Sequence, residues 1–375
     1  MKKDPRMTPL TCAEINLDHL IFNLNAIESQ VAPAKILPVV KADAYGHGAL
    51  SVARHLVKTG TRFLAVALFE EAMDLRESGI DLPILIFGRL LPNQIQAAVK
   101  AGCRISVFGK EDIRRIEKAA LSVPAYIHPN VETGMGRAGV LLDQEPDFFD
   151  RLLASKACIW EGLYSHFATA DEADKTYARK QLDHFQHIIN RVAKMDKGPT
   201  LRHMANSGAI YNLPESYFDA VRPGISLYGH RPSSATPPNF SLKQVMTFKT
   251  YVAHLRPLPA GQSISYGRRY ITKTETRIAV LPVGYADGIS RAFTNNGEVL
   301  IGGKHYPMVG TVTMDQTMVD VGKAPVRPGD EVLLWGSSAQ GKIEALEVAE
   351  RIGTIPYELT CGVSKRVKRV YIGNI

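Results

Sequence analysis

Between Ile36 and Val221 the chain repeats one pattern eight times. A short run of β-branched and apolar residues comes first, and a segment with helical spacing follows. The runs are Ile36–Lys41, Phe63–Leu68, Ile84–Phe87, Arg104–Phe108, Ala125–Val131, Ile159–Ser165, Thr200–Ala205 and Ala220–Val221. The helical segments are Leu50–Lys58, Glu70–Ser78, Asn93–Ala101, Glu111–Leu121, Pro146–Ser155, a long one from about Asp174 to Lys194, and a short one from Ser207. Apolar runs alternating with helices predict parallel strands buried on both faces. Eight such units predict a closed (β/α)8 TIM-type barrel. An open doubly wound sheet ranks lower, because no G-x-G-x-x-G opens any helix.

The texture changes near residue 240. Pro232 to Asn239 is a Pro/Ser/Thr-rich linker. Short β-like runs follow: Phe248–Leu255, Arg277–Val283, Val299–Ile301, Val309–Met314, Met318–Val321, Glu331–Leu334 and Val367–Tyr371. Only Ala345–Arg351 reads as helical. The fold class is therefore α/β plus β, a barrel in residues 1–240 and a mostly-β domain in residues 241–375. One further strand, Thr11–Leu17, precedes the repeats, with Asp18 as the N-cap of a helix through about Gln30.

Hydrophobic residues make up 45% and charged residues 22%, which is ordinary globular material. No apolar run is long enough to cross a bilayer, and Met1–Leu10 has charges without a following apolar segment, unlike a secretory signal. Four cysteines without metal or redox spacing suggest a reducing compartment, so a cytoplasmic protein is expected. The net charge of +8 is spread along the chain except at Lys365–Arg369, where Val367 interrupts the basic residues as in a strand. No nucleic-acid motif accompanies that cluster, and neither a nucleic-acid nor a membrane partner is expected.

In a barrel of this kind the site lies at the C-terminal ends of the strands. The first run ends in Lys41, followed by Ala42-Asp43-Ala44-Tyr45-Gly46-His47-Gly48. A lysine backed by an apolar run is partly desolvated, which lowers its pKa and favours attack on carbonyls. A lone lysine there would more often snorkel to solvent. The loop beside it changes the balance, since Tyr45, Gly46 and Gly48 can bring a hydroxyl and backbone N–H groups to a phosphate. A carbonyl-binding lysine with a phosphate loop is what pyridoxal phosphate (PLP) demands. Other runs deliver Arg137, His166, Asn206-Ser207 and Arg222-Pro223-Gly224-Ile225 to the same rim. Any one of them could be structural, but the set is harder to dismiss. Tyr45, Ser207 and the N–H groups of Gly224 and Ile225 suit the phosphate.

The stretch V-V-K-A-D-A-Y-G-H-G, Val39 to Gly48, resembles the cofactor-lysine motif of bacterial alanine racemases, and the likeness continues with gaps to the last thirty residues. The resemblance implies a PLP enzyme that interconverts L- and D-alanine for peptidoglycan, as a homodimer with two shared sites. It implies that the first strand of the chain joins the β domain. It implies that Lys41 and Tyr266 are the two catalytic bases, with Tyr266, Met314 and Asp315 coming from the partner subunit. Arg222 would face the pyridine nitrogen, which it leaves unprotonated because an arginine only donates. His166 would bridge Arg222 and a catalytic tyrosine. Arg137 would contact the phenolic oxygen and the substrate carboxylate, in an enclosed site. Tyr357 would reach the phosphate, the Met314 N–H the substrate carboxylate, and Tyr285 the entrance. No metal is implied.

The chain departs from the family at Asn130, where many members carry a carboxylated lysine. The charge that would orient Arg137 is missing there, and an anion such as chloride is expected in its place. The rival readings are a broad-specificity or serine racemase, a fold-sharing PLP decarboxylase, and a non-catalytic PLP-binding barrel. Arg222 argues against the decarboxylase, and the β domain with Tyr266 against the barrel protein.

Overall fold

The computed structural model describes residues 11–119, 121–195 and 198–374. Met1–Leu10, read above as lacking a signal, lie outside the described residues. The chain divides into two compact units. One comprises Ile21–Leu227 with Arg231–Leu242, and the other residues 11–20, Tyr228–His230 and 243–374.

Strand β1 is Cys12–Asn16 and belongs to the second unit. The first unit is built on β2 (Lys35–Ile36), β3 (Leu64–Val66), β4 (Ile84–Ile86), β5 (Cys103–Val107), β6 (Ala125–Pro129), β7 (Cys158–Trp160), β8 (Gly162–Tyr164), β9 (Leu201–Asn206) and β10 (Ala220–Arg222). These form two parallel ladders, β3-β4-β5-β6-β7 and β2-β10-β9-β8. Parallel bridges between Val39 and Ala65 and between Asn130 and Tyr164 join the ladders into a closed barrel. Helices such as Ala49–Lys58 and Thr176–Val192 follow the strands and bury one face each. Strands covered on both sides need apolar residues at every position, which is why Leu64–Val66 and Ile84–Ile86 are wholly buried.

Two strand readings change. The run Ile36–Lys41 bonds as a barrel strand only as far as Val40. Leu37 N and Val39 N reach Val221 O and Pro223 O on one side, and Val40 N reaches Ala65 O on the other. Lys41 already belongs to the turn. The run Ile159–Ser165 is broken at Glu161, where the chain changes neighbours. The Glu161 N–H bonds back to Ile127 O, while its carbonyl accepts from Thr200 and Leu201.

In the second unit β1 pairs antiparallel with β11 (Met246–Tyr251) and parallel with the last strand, Lys368–Ile372. With Glu298–Ile301, Lys304–Pro307, Glu331–Ser338 and Gly341–Ile343 they make a seven-stranded sheet. A second, three-stranded sheet pairs His254–Leu258, Thr276–Leu281 and Thr317–Asp320. On the seven-stranded sheet, Trp335 and the neighbouring Phe248 meet edge-to-face and are buried, 4.7 Å between ring centres.

Three expectations for this unit are corrected. Val309–Met314 is not a strand, because Gly310 (φ 73°) bends it away and Thr313 ties back to Gln316. A second helix, Pro356–Cys361, carries Tyr357, and Pro356 starts it rather than breaking the chain. Asp18 lies inside the helix Leu17–Val31, whose cap is Asn16, with Oδ1 accepting from His19 N at 3.1 Å. No helix among the described residues is long and apolar enough to cross a membrane.

Candidate active site

The turn after β2 sets the first part of the site. Lys41 is half-buried, and Ala42, Asp43, Ala44 and Tyr45 all have φ of 52–54°, one left-handed turn. Its own bonds hold it, Ala44 N to Val40 O at 2.9 Å and Gly46 N to Ala42 O at 3.0 Å. The Glu71 carboxylate accepts from Ala42 N at 2.6 Å, and Asp43 accepts from Ala49 N at 2.7 Å, at the start of the next helix. The turn thereby buries Tyr45 and sends its hydroxyl to Gly224. A β-carbon on Gly224 would stand 2.3 Å from that hydroxyl, so only glycine fits.

Ser207 completes this corner. Its Oγ accepts from Gly224 N at 3.0 Å and Ser226 N at 3.3 Å, so its own proton remains to be donated. Ile225 is buried beside them. Asn206 caps the short helix Ser207–Asn212 by accepting from Ala209 N at 3.1 Å. Two hydroxyls and a glycine-opened backbone are a donor set that fits a phosphate.

Arg222 ends β10 and is 3% exposed. Its guanidinium donates to Ser165 O and His203 O at 2.7 Å, to Met204 O at 3.1 Å, to His203 Nδ1 at 2.7 Å and to His166 Nδ1 at 3.2 Å. Burial pushes its pKa down to about 10. His166 is held well below the ordinary imidazole value by burial and by the nearby charges of Arg222, Arg137 and Lys41. The imidazole is therefore neutral, with Arg222 in direct contact with it.

Arg137 sits on a loop organised by Glu132, whose carboxylate accepts from Gly134 N, Met135 N and Arg137 N at 2.6, 2.5 and 3.2 Å. Contrary to the expected enclosure, Arg137 is exposed in the single chain. Asn130 is buried next to Tyr164, whose hydroxyl donates to Ser106 Oγ at 2.8 Å.

The remaining site residues lie in the second unit. Tyr266, Tyr285, Met314 and Asp315 line one open cleft. Ser265 and Thr311 lock the Tyr266 turn through Ser265 Oγ to Thr311 O (2.6 Å) and Thr311 Oγ1 to Tyr266 O (2.7 Å). Tyr285 N and Ala286 N donate to Thr313 O and Met314 O at 3.0 and 3.1 Å, joining the two loops. Arg366, from the basic cluster, pairs with Asp287 at 3.1 Å and Asp315 at 2.9 Å. Tyr266 is 75% exposed. Tyr357 is half-buried on its helix.

Sequence reasoning missed the groups behind Arg222. His203, His128 and Glu161 follow it inside the barrel, and no motif marks them. Among the described residues no cluster of His, Cys, Asp or Glu could hold a metal ion.

Comparison with known proteins gives a consistent picture. Residues 15–232 match the model for the N-terminal domain of alanine racemase, and residues 245–371 that for its C-terminal domain. Alanine racemase 2 of Caldanaerobacter subterraneus subsp. tengcongensis is 43% identical over 96% of this chain and 95% of its own. The alanine racemase of Halothermothrix orenii is 42% identical over 99% of both chains. Among solved structures, alanine racemase from Bacillus anthracis with bound L-Ala-P superposes with a TM-score of 0.91 at 37% identity, covering 98% of this chain and 96% of that one. The Clostridium difficile 630 enzyme in complex with cycloserine gives 0.89 at 36%, covering 98% and 97%. With both domain models matched in order, and a barrel rim that carries Lys41, the Tyr45 and Ser207 hydroxyls and the donor-only Arg222, the chain belongs to the alanine racemase family.

Proposed function

We propose that Lys41 and Tyr266 are the two bases with which this chain moves the α-proton of alanine, and that two copies of the chain share their sites. The chain interconverts L- and D-alanine, which supplies D-alanine for peptidoglycan, and depends on PLP. When bound, PLP supplies an electron sink that lets the α-C–H bond ionise. The Tyr45 and Ser207 hydroxyls and the Ile225 N–H would hold its phosphate, the Gly224 N–H would be shared between it and Ser207 Oγ, and the Tyr357 hydroxyl and Asn206 would support it.

Lys41 would carry the cofactor's aldehyde and, as a free amine, would take or give the α-proton on one face. Tyr266 of the partner subunit serves the other face. Arg222 would donate to the ring nitrogen and, as a group that only donates, would leave it unprotonated. His166 accepts from Arg222 at Nδ1, so its proton sits on Nε2, free to steady the phenol of Tyr266. Arg137 and the Met314 N–H would orient the substrate carboxylate, with Asp315 shaping the site and Tyr285 at its mouth.

The observation that carries this reading is the buried Arg222, hydrogen-bonded to His166, on the same barrel rim as Lys41 and the Tyr45–Ser207–Gly224 corner. The exposure of Tyr266, Tyr285 and Met314 supports a second subunit over that cleft. The cytoplasm is the proposed setting, in keeping with four cysteines outside any disulfide. The test is to incubate the PLP-loaded chain with L-alanine and, separately, L-serine, and to follow optical rotation. Loss of rotation with alanine, much faster than with serine, supports the reading. Bound PLP with unchanged rotation overturns it.

A further inference from the structure

Behind Arg222 a file of buried polar groups runs down the barrel to its opposite end. Arg222 Nη1 lies 2.7 Å from His203 Nδ1. His203 Nε2 lies 3.0 Å from His128 Nδ1, and His128 Nε2 lies 2.9 Å from Glu161 Oε2. Glu161 also accepts from Arg104 Nε and Nη2, both at 2.9 Å. Both histidines are completely buried. Arg222 closes β10, whereas Glu161 stands just before β8 and Arg104 near the start of β5. The file therefore spans the barrel from the strand ends that carry the site to the strand beginnings.

Every proton in the file can be placed. A guanidinium only donates, so His203 Nδ1 accepts and carries no proton. His203 is then neutral with its proton on Nε2, which points at His128 Nδ1. That atom must accept in turn, so the His128 proton is on Nε2 and goes to the Glu161 carboxylate. Burial and the neighbouring cations keep both imidazoles neutral, which agrees with this assignment. All the hydrogen bonds run one way, from Arg222 to Glu161.

Packing holds the rings in place. Tyr164 stacks on His203, 5.1 Å between centres and 6° between planes, and Phe63 lies 6.0 Å from His128. Arg222 itself has only carbonyls and imidazoles as acceptors, and among the described residues no carboxylate pairs with it. A buried cation without a counter-charge is costly. A carboxylate placed directly at Arg222 would remove that cost but would stand beside the cofactor's ring nitrogen and favour its protonated form.

We propose that Glu161 is the remote counter-charge of Arg222, relayed through His128 and His203, and that these three are positioning residues that keep Arg222 a fixed donor to the ring nitrogen. This rests on the reading of Arg222 as the partner of that nitrogen. The relay stabilises the guanidinium from two rings away and leaves the nitrogen facing a donor alone.

The experiment uses the full chain with ¹⁵N-labelled histidine, reconstituted with ring-¹⁵N PLP, and compares Glu161→Gln with Arg104→Gln. The unsubstituted chain should show His128 and His203 both as neutral Nε2–H tautomers, with or without PLP. Either ring protonated, or carrying its proton on Nδ1, overturns the relay without any variant being needed. Arg104→Gln breaks the ion pair but leaves the relay, so it should lower the melting temperature and leave the histidine and ring-nitrogen resonances in place. Glu161→Gln should move all three resonances and lower kcat about tenfold at little-changed KM, the low end of what losing an outer partner costs at metal sites. A Glu161→Gln chain that only melts lower, with all three resonances unmoved, makes Glu161 a structural ion-pair partner and overturns the proposal. If Arg222→Lys leaves the ring-nitrogen resonance unmoved, the reading of Arg222 itself fails, whatever the histidine tautomers show.

Discussion

Gly162 and His128 compete for one space inside the barrel: a β-carbon on Gly162 would stand 2.3 Å from His128 Nδ1. That nitrogen faces His203, and the other ring nitrogen is bonded to Glu161, so the ring has no free direction in which to retreat. Gly162→Ala should destabilise the chain by about 1–3 kcal/mol, the usual cost of overpacking a tight core. Chemical denaturation of the two chains measures it, and equal midpoints would show that the ring yields.

Glu161 also sets an acid limit. Burial raises its pKa, but the hydrogen bonds from His128 and Arg104 outweigh burial and hold it at about 2. A depressed carboxylate pKa stabilises the fold above the usual value near 4.5 and loses that contribution as pH falls toward 2. At about 1.4 kcal/mol per unit, the contribution at neutral pH is roughly 3 kcal/mol. Glu161→Gln should therefore be less stable at pH 7, and the two stability curves should converge as pH drops from about 4.5 to about 2. A gap that stays constant over that range would assign the loss to packing.

Lys41→Ala should remove both the covalent hold on the cofactor and one base. The expected result is loss of the visible absorbance of bound PLP together with racemisation in both directions. Retention of both would show that another amine does the work.

Tyr266→Phe keeps the ring and deletes the hydroxyl. Racemisation should fall by about 10²–10⁴-fold, the range for general acid–base catalysis, with PLP still bound. Mixing Lys41→Ala and Tyr266→Phe chains should recover part of the activity, because one site of a mixed dimer holds both intact residues. No recovery despite proven subunit exchange would place both bases in one chain.

Asn130 is a neutral amide at the position where the family resemblance implies a carboxylated lysine. Arg137 is exposed in the single chain, and under the proposed dimer the partner subunit would enclose it. Activity should then depend on chloride, compared with a bulky anion at equal ionic strength and without bicarbonate. Identical kinetics in the two salts, with no anion density beside Arg137 in bromide-grown crystals, would falsify the expectation.

The barrel was legible because a strand covered on both faces can tolerate little besides apolar residues, so eight runs stand out. Lys41 was legible from its place at the end of one run. His128, His203 and Glu161 were not, because their partners lie 33 and 75 residues apart and only barrel closure brings them together. The run Val309–Met314 misled for the opposite reason. Its apolar residues look like a strand, while the bend at Gly310 turns it into a loop. The left-handed turn at Ala42–Tyr45 contains none of the glycines that normally announce such backbone.

That turn has a consequence for anyone redesigning the chain for heat resistance. Left-handed backbone without glycine costs about 1–2 kcal/mol per residue. A stability scan would rank glycine at positions 42 to 44 among its easiest gains. Yet these three residues, with Tyr45, hold Lys41 at one end of the turn and bury the Tyr45 hydroxyl against Gly224 at the other. Glycine would loosen the spacing between them and return flexibility to the unfolded chain. The most attractive site for stabilisation is thus one that a thermostable variant should leave untouched, and its gains are better sought on the helical exterior.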